Sequence, residues 1–387
     1  MGATPETAAG PDSDESLTAL EQERRTTPVE LLWDLVFVFA VTQVTTLLSK
    51  DLTWVGFGRS MLVLALVWWA WSAFVWAANA QRADSGVLLV ALLAGTPCIF
   101  VAGIALPHVF GAHATLFAGA YAAVRGIHLA LYADASRRGN ASWSAIAGFA
   151  VTVVIGMALL LAGSFVSEGL RVILWGVAAA IDYAGPGLLT RARLRGLQRV
   201  AVAHFAERYG LFVIIALGES IVAVGVRTRT TELDLRLIVA VTLCLLITVG
   251  LWWTYFDRFA RMAEERLRSS RDPVLAASDA YSYLHLVIIA GIIIFAVGAR
   301  LVVGGTALGD AGWLALCGGV ALYLIGLLAA GRRLGGSFDP LKVVAALILL
   351  AVGIWAPAIA TWGAAAIVTG VLAAVCVVDA VRLGSPG

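Results

Sequence analysis

The sequence predicts an all-α protein that crosses a membrane many times, and three observations predict it. Of 387 residues, 60% are hydrophobic and 13% are charged, against about 25% charged in a soluble domain. Mean hydropathy is +0.90. The apolar residues fall in continuous runs of about 20, the length a helix needs to cross the hydrocarbon core, and short loops between them hold most of the arginines. The alternating pattern of barrel strands of roughly 10 residues is absent.

Taken in order, the first 28 residues are polar, acidic and rich in Pro, Ser and Thr, with no basic stretch leading into an apolar core and cleavage site. They read as a disordered cytoplasmic tail without a cleavable signal. About twelve spans follow, at 30–48, 59–79, 86–107, 112–133, 142–163, 169–189, 201–225, 235–257, 279–303, 312–330, 340–360 and 362–382.

Run one opens on Thr27-Pro28-Val29-Glu30, a capping-box pattern with Pro at the first helical position, so Glu30 is equally a cap and a candidate site. Asp34 lies one turn deeper, about 6 Å from Glu30 on the same face, and has no such capping role. A carboxylate at the bilayer centre costs roughly 2.5–3.5 kcal/mol, so it faces a bundle interior or a watery cavity. Run two aligns Trp68, Ser72 and Asn79, with Trp69, Trp71 and Trp76 around them; an interfacial aromatic belt accounts for such tryptophans better than ligand stacking. His108 and His113 share a loop, but two imidazoles without a carboxylate or thiolate do not make a metal site.

Run four carries Tyr121, Arg125, His128 and Tyr132 at spacings of four, three and four, a polar stripe that lines water or substrate, or else pairs with an acid such as Asp182. Asp182 precedes Gly185-Pro186-Gly187, an interruption that either unwinds the helix beside an acid, as at transporter ion sites, or simply ends it. The linker 191–200 holds Arg191, Arg193, Arg195 and Arg199, read as a contact for anionic lipid headgroups.

Run seven places His204, Glu207, Arg208 and Glu219 in an apolar stretch. Arg208 and Glu219 are about 16 Å apart along one helix and cannot pair with each other; Asp34 is the natural partner for Arg208. Gly218 offers a position for close approach of another helix. Ser278, Ser282 and His285 make a weaker stripe in run nine, read as a hydrogen-bonded buried histidine. Cys98, Cys244, Cys317 and Cys376 lie in separate apolar runs without paired spacing, so neither disulfides nor zinc is implied.

The halves 29–190 and 201–383 share a six-helix plan. Glu30 then Trp68-Trp69 in the first answers to Glu207 then Trp252-Trp253 in the second, and each half later reaches an Arg-Arg pair, Arg137-Arg138 and Arg332-Arg333. An even number of spans per half makes such repeats parallel. With the N-terminus in the cytoplasm, eighteen of the 27 basic residues lie inside, seven outside, and Arg125 and Arg208 within runs, which favours both termini on the cytoplasmic side. No phosphate-binding glycine loop, zinc-protease or serine-hydrolase motif is present, no cofactor is implied, and nothing points to nucleic acid.

Two stretches, Thr27-Pro-Val-Glu30-Leu-Leu-Trp-Asp34-Leu-Val-Phe-Val-Phe-Ala and Glu207-Arg-Tyr-Gly-Leu-Phe-Val-Ile-Ile-Ala-Leu-Gly-Glu219-Ser, resemble the bacterial low-temperature-requirement A family, and the likeness in length and layout extends over about residues 25 to 380. The resemblance implies a multi-pass protein of the bacterial cell membrane and puts the family's acidic pattern on Glu30, Asp34, Glu207 and Glu219. Trp33 stands where that family commonly has Phe. The resemblance implies no substrate. The residues themselves lead to an ion-coupled transporter or permeation pathway that uses a proton or cation, with Glu30, Asp34, Asp182, Glu207 and Glu219 as candidate acids and Arg125, His128, His204 and Arg208 as their partners. The alternatives are a lipid-processing enzyme within the membrane, using His128 or His204, and a non-catalytic membrane organiser.

Overall fold

The computed structural model describes residues 25–80, 86–138, 143–185, 200–228, 233–305, 308–355 and 361–384, and these are almost wholly helical. The helices are α1 (Pro28–Lys50), α2 (Trp54–Ala80), α3 (Gly86–Ala105), α4 (Ala114–Arg137), α5 (Trp143–Ser164), α6 (Glu168–Ala184), α7 (Val202–Thr228), α8 (Leu235–Arg268), α9 (Pro273–Val303), α10 (Gly309–Arg333), α11 (Pro340–Trp355) and α12 (Thr361–Gly384). Without water in the hydrocarbon core each backbone group must be satisfied within its own segment, which is why such runs become helices. Each corresponds to a run expected from the sequence, but among the described residues ten rather than twelve are long and apolar enough to cross a membrane. The described parts of α6 and α11 are the two that fall short, at 17 and 16 residues.

The hydroxyls of α1 are satisfied locally. In α1, Thr42, Thr45, Thr46 and Ser49 each donate to the carbonyl four residues earlier, so none requires a partner across the bundle. Between α1 and α2, Asp51 accepts from the Thr53 amide and hydroxyl at 3.1 and 2.6 Å and closes the turn.

Packing is ordered alike in the two halves. In the first, α1 packs on α2 and α3, α3 on α4, α4 on α5, α5 on α6, and α2 on both α4 and α6. In the second, α7 packs on α8 and α9, α9 on α10, α10 on α11, α11 on α12, and α8 on both α10 and α12. The halves meet through α1, α2, α7 and α9, and α2 and α9 are the most enclosed helices.

Close approach falls on glycines, though not on Gly218, where an added Cβ would meet nothing within 4 Å. The tight seam is α9 against α10: a Cβ on Gly291 would stand 2.6 Å from the Tyr323 amide nitrogen, and one on Gly298 would stand 2.5 Å from that of Leu316. Small residues there let the two backbones touch, the usual basis of helix association in lipid. π-helical turns interrupt three helices of the second half, at Thr254–Phe259 in α8, Ser278–Leu284 in α9 and Leu314–Gly318 in α10.

The expected belt of tryptophans on α2 is not found. Trp68, Trp69 and Trp71 are buried, because α2 is enclosed by α1, α4, α6, α7 and α9 rather than facing lipid. The tail before residue 25, the Pro186-Gly187 break and the four arginines 191, 193, 195 and 199 lie outside the described residues.

Candidate functional site

The first turn of α1 places Glu30 at the third helical position, where its Oε2 accepts from the Thr27 amide and hydroxyl at 2.8 and 2.9 Å. The capping box therefore forms. The carboxylate does more, because its second oxygen faces α7: Glu30 Oε1 lies 3.0 Å from His204 Nε2 and 3.1 Å from Arg208 Nη1. Asp34, one turn on, takes two hydrogen bonds from the same guanidinium, Nε to Oδ2 at 3.0 Å and Nη2 to Oδ1 at 2.6 Å. Trp71 Nε1 of α2 donates to Asp34 Oδ1 at 2.7 Å. All four ionisable side chains are fully buried. The i, i+4 spacing on both helices makes the cluster possible, since each helix offers two groups on one stripe at matching heights.

A neutral hydrogen-bonded chain adjoins this cluster. Ser72 and Tyr209 hydroxyls are 2.8 Å apart, Tyr209 and Ser282 hydroxyls 3.1 Å, and Trp76 Nε1 donates to Ser282 Oγ at 2.8 Å. Trp68 Nε1 donates to the Ser282 carbonyl, within the π-helical turn of α9, at 2.7 Å. Beside it His285 Nδ1 donates to the Ala280 carbonyl at 2.8 Å, so its Nε2, 2.9 Å from the Tyr255 hydroxyl, accepts. His285 is thus the hydrogen-bonded buried histidine its stripe suggested.

A second ion pair is separate. Arg125 Nη2 of α4 donates to Asp182 Oδ1 of α6 at 2.8 Å, both buried, so this reading of the polar stripe holds in geometry. Arg125 Nε and Nη1 and His128 Nδ1 meet no protein acceptor among the described residues. Trp33 and Phe74 have ring centres 4.4 Å apart, and Phe74 lies 5.9 Å from His128.

The structure does not bring Glu207 or Glu219 into the main cluster. Glu207 Oε2 accepts from the Thr26 amide and hydroxyl at 2.9 and 3.0 Å, which ties the chain before α1 to α7. Glu219 is half-buried three turns further along, near Thr42 and Arg300. His108 and His113 have ring centres 5.3 Å apart, and among the described residues no group of three metal-ligating side chains occurs.

Sequence reasoning placed Trp71 in a belt rather than on Asp34, and it missed Tyr209 and the network of Lys342, Asp339, Asp379 and Arg258. Lys342 Nζ reaches Asp339 and Asp379 at 2.6 Å each, and Arg258 reaches Asp379 at 3.0 Å, joining α8, α11 and α12. Lys342 looked like a loop residue and Asp379 sits near the end of its run. Only their mutual distance shows them paired.

A family model described as "Bacterial low temperature requirement A protein (LtrA)" matches residues 25–377, which include Glu30, Asp34, Arg125, Asp182, His204 and Arg208. The chain belongs to the LtrA family. It is also similar to "Uncharacterized protein RA0937" of Rhizobium meliloti (strain 1021), at 34% identity over 277 residues, 70% of this chain and 67% of the relative. No solved structure matches. Membership agrees with a helical, multi-pass membrane protein of a bacterial family, in contact with the lipid bilayer.

Proposed function

We propose that this LtrA protein moves a solute or ion across the membrane in exchange with a proton, or a cation in its place, and that the cluster of Glu30, Asp34, His204 and Arg208 carries that charge. One observation carries the reading: two carboxylates, one guanidinium and one imidazole lie fully buried where the two halves meet. With both acids ionised the cluster has a net charge of −1 when His204 is neutral and zero when it is protonated. Uncompensated charge is costly in a low-dielectric interior. Gain or loss of one positive charge therefore alters how strongly α1 holds α7, which is what a coupled transporter requires. Asp182, His128 and Arg125 form a second polar station within the first half. Glu219 lies further along α7, and Glu207 holds the chain at the entrance to α1.

The matching packing order supports two parallel six-helix repeats, and the arginine asymmetry supports an N-terminus on the cytoplasmic side. The test is flux in proteoliposomes under imposed proton, sodium and potassium gradients. His204→Gln keeps a donor for Glu30 but cannot titrate. A gradient-driven signal in the native protein, abolished in a folded His204→Gln variant, is the expected result. An undiminished signal in that variant, or silence of the native protein under every gradient, would overturn the proposal and leave the cluster as a lock between halves.

A further inference from the structure

At the end of the bundle where α7 begins and α8 ends, a partly open cleft of about 640 Å³ lies between these two helices. Its wall is apolar, formed by Leu211, Ile214 and Phe256, and its rim is basic, formed by Arg25, Arg261 and Arg268. We infer that this cleft binds one anionic phospholipid, the arginine rim taking the phosphate headgroup and the apolar wall the upper part of the acyl chains. This site is independent of the buried charge cluster.

Level, charge and anchoring support it. The half-exposed Trp252 and Trp253 close the apolar part of α8, Trp252 stacks on Phe256 at 5.5 Å, and the charged stretch begins one turn on, at Asp257. This order of apolar run, aromatic pair and charge marks the membrane–water boundary, where a headgroup and its chains part. Residues 254–271 contain five arginines (258, 261, 266, 268 and 271) against three acids (257, 264 and 265), and Arg25 adds to that excess. Of the two carboxylates that line the cleft, Glu207 accepts two hydrogen bonds from Thr26 and Glu264 pairs with Arg268 at 2.7 Å, which leaves the headgroup chiefly to Arg25 and Arg261. Arg261 folds back on Asp257 with a carboxylate contact of 3.4 Å, on an exposed side chain from which a phosphate readily recruits it. The Thr26–Glu207 link fixes where Arg25 sits, next to it in the chain and over the cleft. A cavity of this size with apolar walls and a few convergent polar groups is the general form of a small-molecule site. A phosphate between guanidinium groups on an apolar floor is the chemistry of an anionic lipid.

The test is native mass spectrometry of the full-length protein in detergent, titrated separately with phosphatidylglycerol, phosphatidylcholine and inorganic phosphate. One phosphatidylglycerol is expected to bind in preference to phosphatidylcholine, with about thirtyfold loss of affinity in the Arg25→Gln/Arg261→Gln variant. Both side chains are exposed, so that variant should fold, and elution as a single peak checks it. Phe256→Ala should also weaken phosphatidylglycerol binding. Equal binding of the two lipids, or a double variant that binds as the native protein does, would reduce the cleft to ordinary lipid contact and overturn the assignment. Inorganic phosphate binding as tightly as the lipid would overturn it in favour of a free-anion site.

Discussion

Asp34 and Arg208 hold each other by two hydrogen bonds in a fully buried setting, and Glu30 lies 3.1 Å from the same guanidinium, so removing Arg208 strands both carboxylates whereas removing Asp34 leaves Arg208 its contact with Glu30. Breaking such a pair costs about 3–5 kcal/mol, whereas removing both partners is often close to neutral. Arg208→Gln should therefore lower the thermal midpoint in detergent strongly, and adding Asp34→Asn to it should recover much of the loss. Loss of flux in Arg208→Gln alone would then report stability as much as transport, which is why His204→Gln is the cleaner functional probe. The Asp34–Arg208 pair was legible in the sequence because each is a charge within an apolar run with no opposite partner in reach on its own helix face. Glu30 was ambiguous for a physical reason: one carboxylate oxygen caps the helix and the other joins the cluster, so both readings apply. Glu207 was not legible, since its partner, Thr26, is a short polar residue in a segment without periodicity.

At the scale of the helix, hydropathy located all the runs but gave faces and not neighbours. Spacing placed Arg125 and His128 on one stripe, yet only the packing of α4 against α5 and of α2 against α6 brings Asp182 to Arg125. Tryptophans on α2 read as an interfacial belt because a buried and a boundary tryptophan look alike in sequence; enclosure by five other helices decides between them. Glycine is equally ambiguous, and the structure separates its two uses. Gly291→Ala must push its methyl against the backbone of α10 at Tyr323, and overpacking of this kind costs about 1–3 kcal/mol. Gly218→Ala meets open space inside a helix and should be stabilising by about 0.5–1 kcal/mol. Unfolding of the two variants in the same detergent should move the midpoint in opposite directions; a shift of the same sign in both would mean that the α9–α10 seam does not limit stability.

For the whole molecule, the twofold plan makes a demand on assembly that neither residues nor single helices make. If the halves are repeats, each buries its own six-helix packing, and what joins them is the meeting of α1 and α2 with α7 and α9. That junction holds the buried ion cluster, the Thr26–Glu207 link and the chain of Ser72, Tyr209 and Ser282. Three independent sets of polar bonds in a low-dielectric setting should hold the halves without a covalent connection. Chains 1–195 and 196–387, produced together with a tag on the first only, are expected to purify as a one-to-one complex. The same pair carrying Arg208→Gln should lose most of the second chain, because Glu30 and Asp34 are then left buried without their shared counter-charge. Recovery should follow when Asp34→Asn is added to the first chain. Failure of the native halves to associate, with each chain inserted and folded, would show that the repeats depend on the connecting segment, and would remove the α1–α7 contact as the element whose strength a proton adjusts.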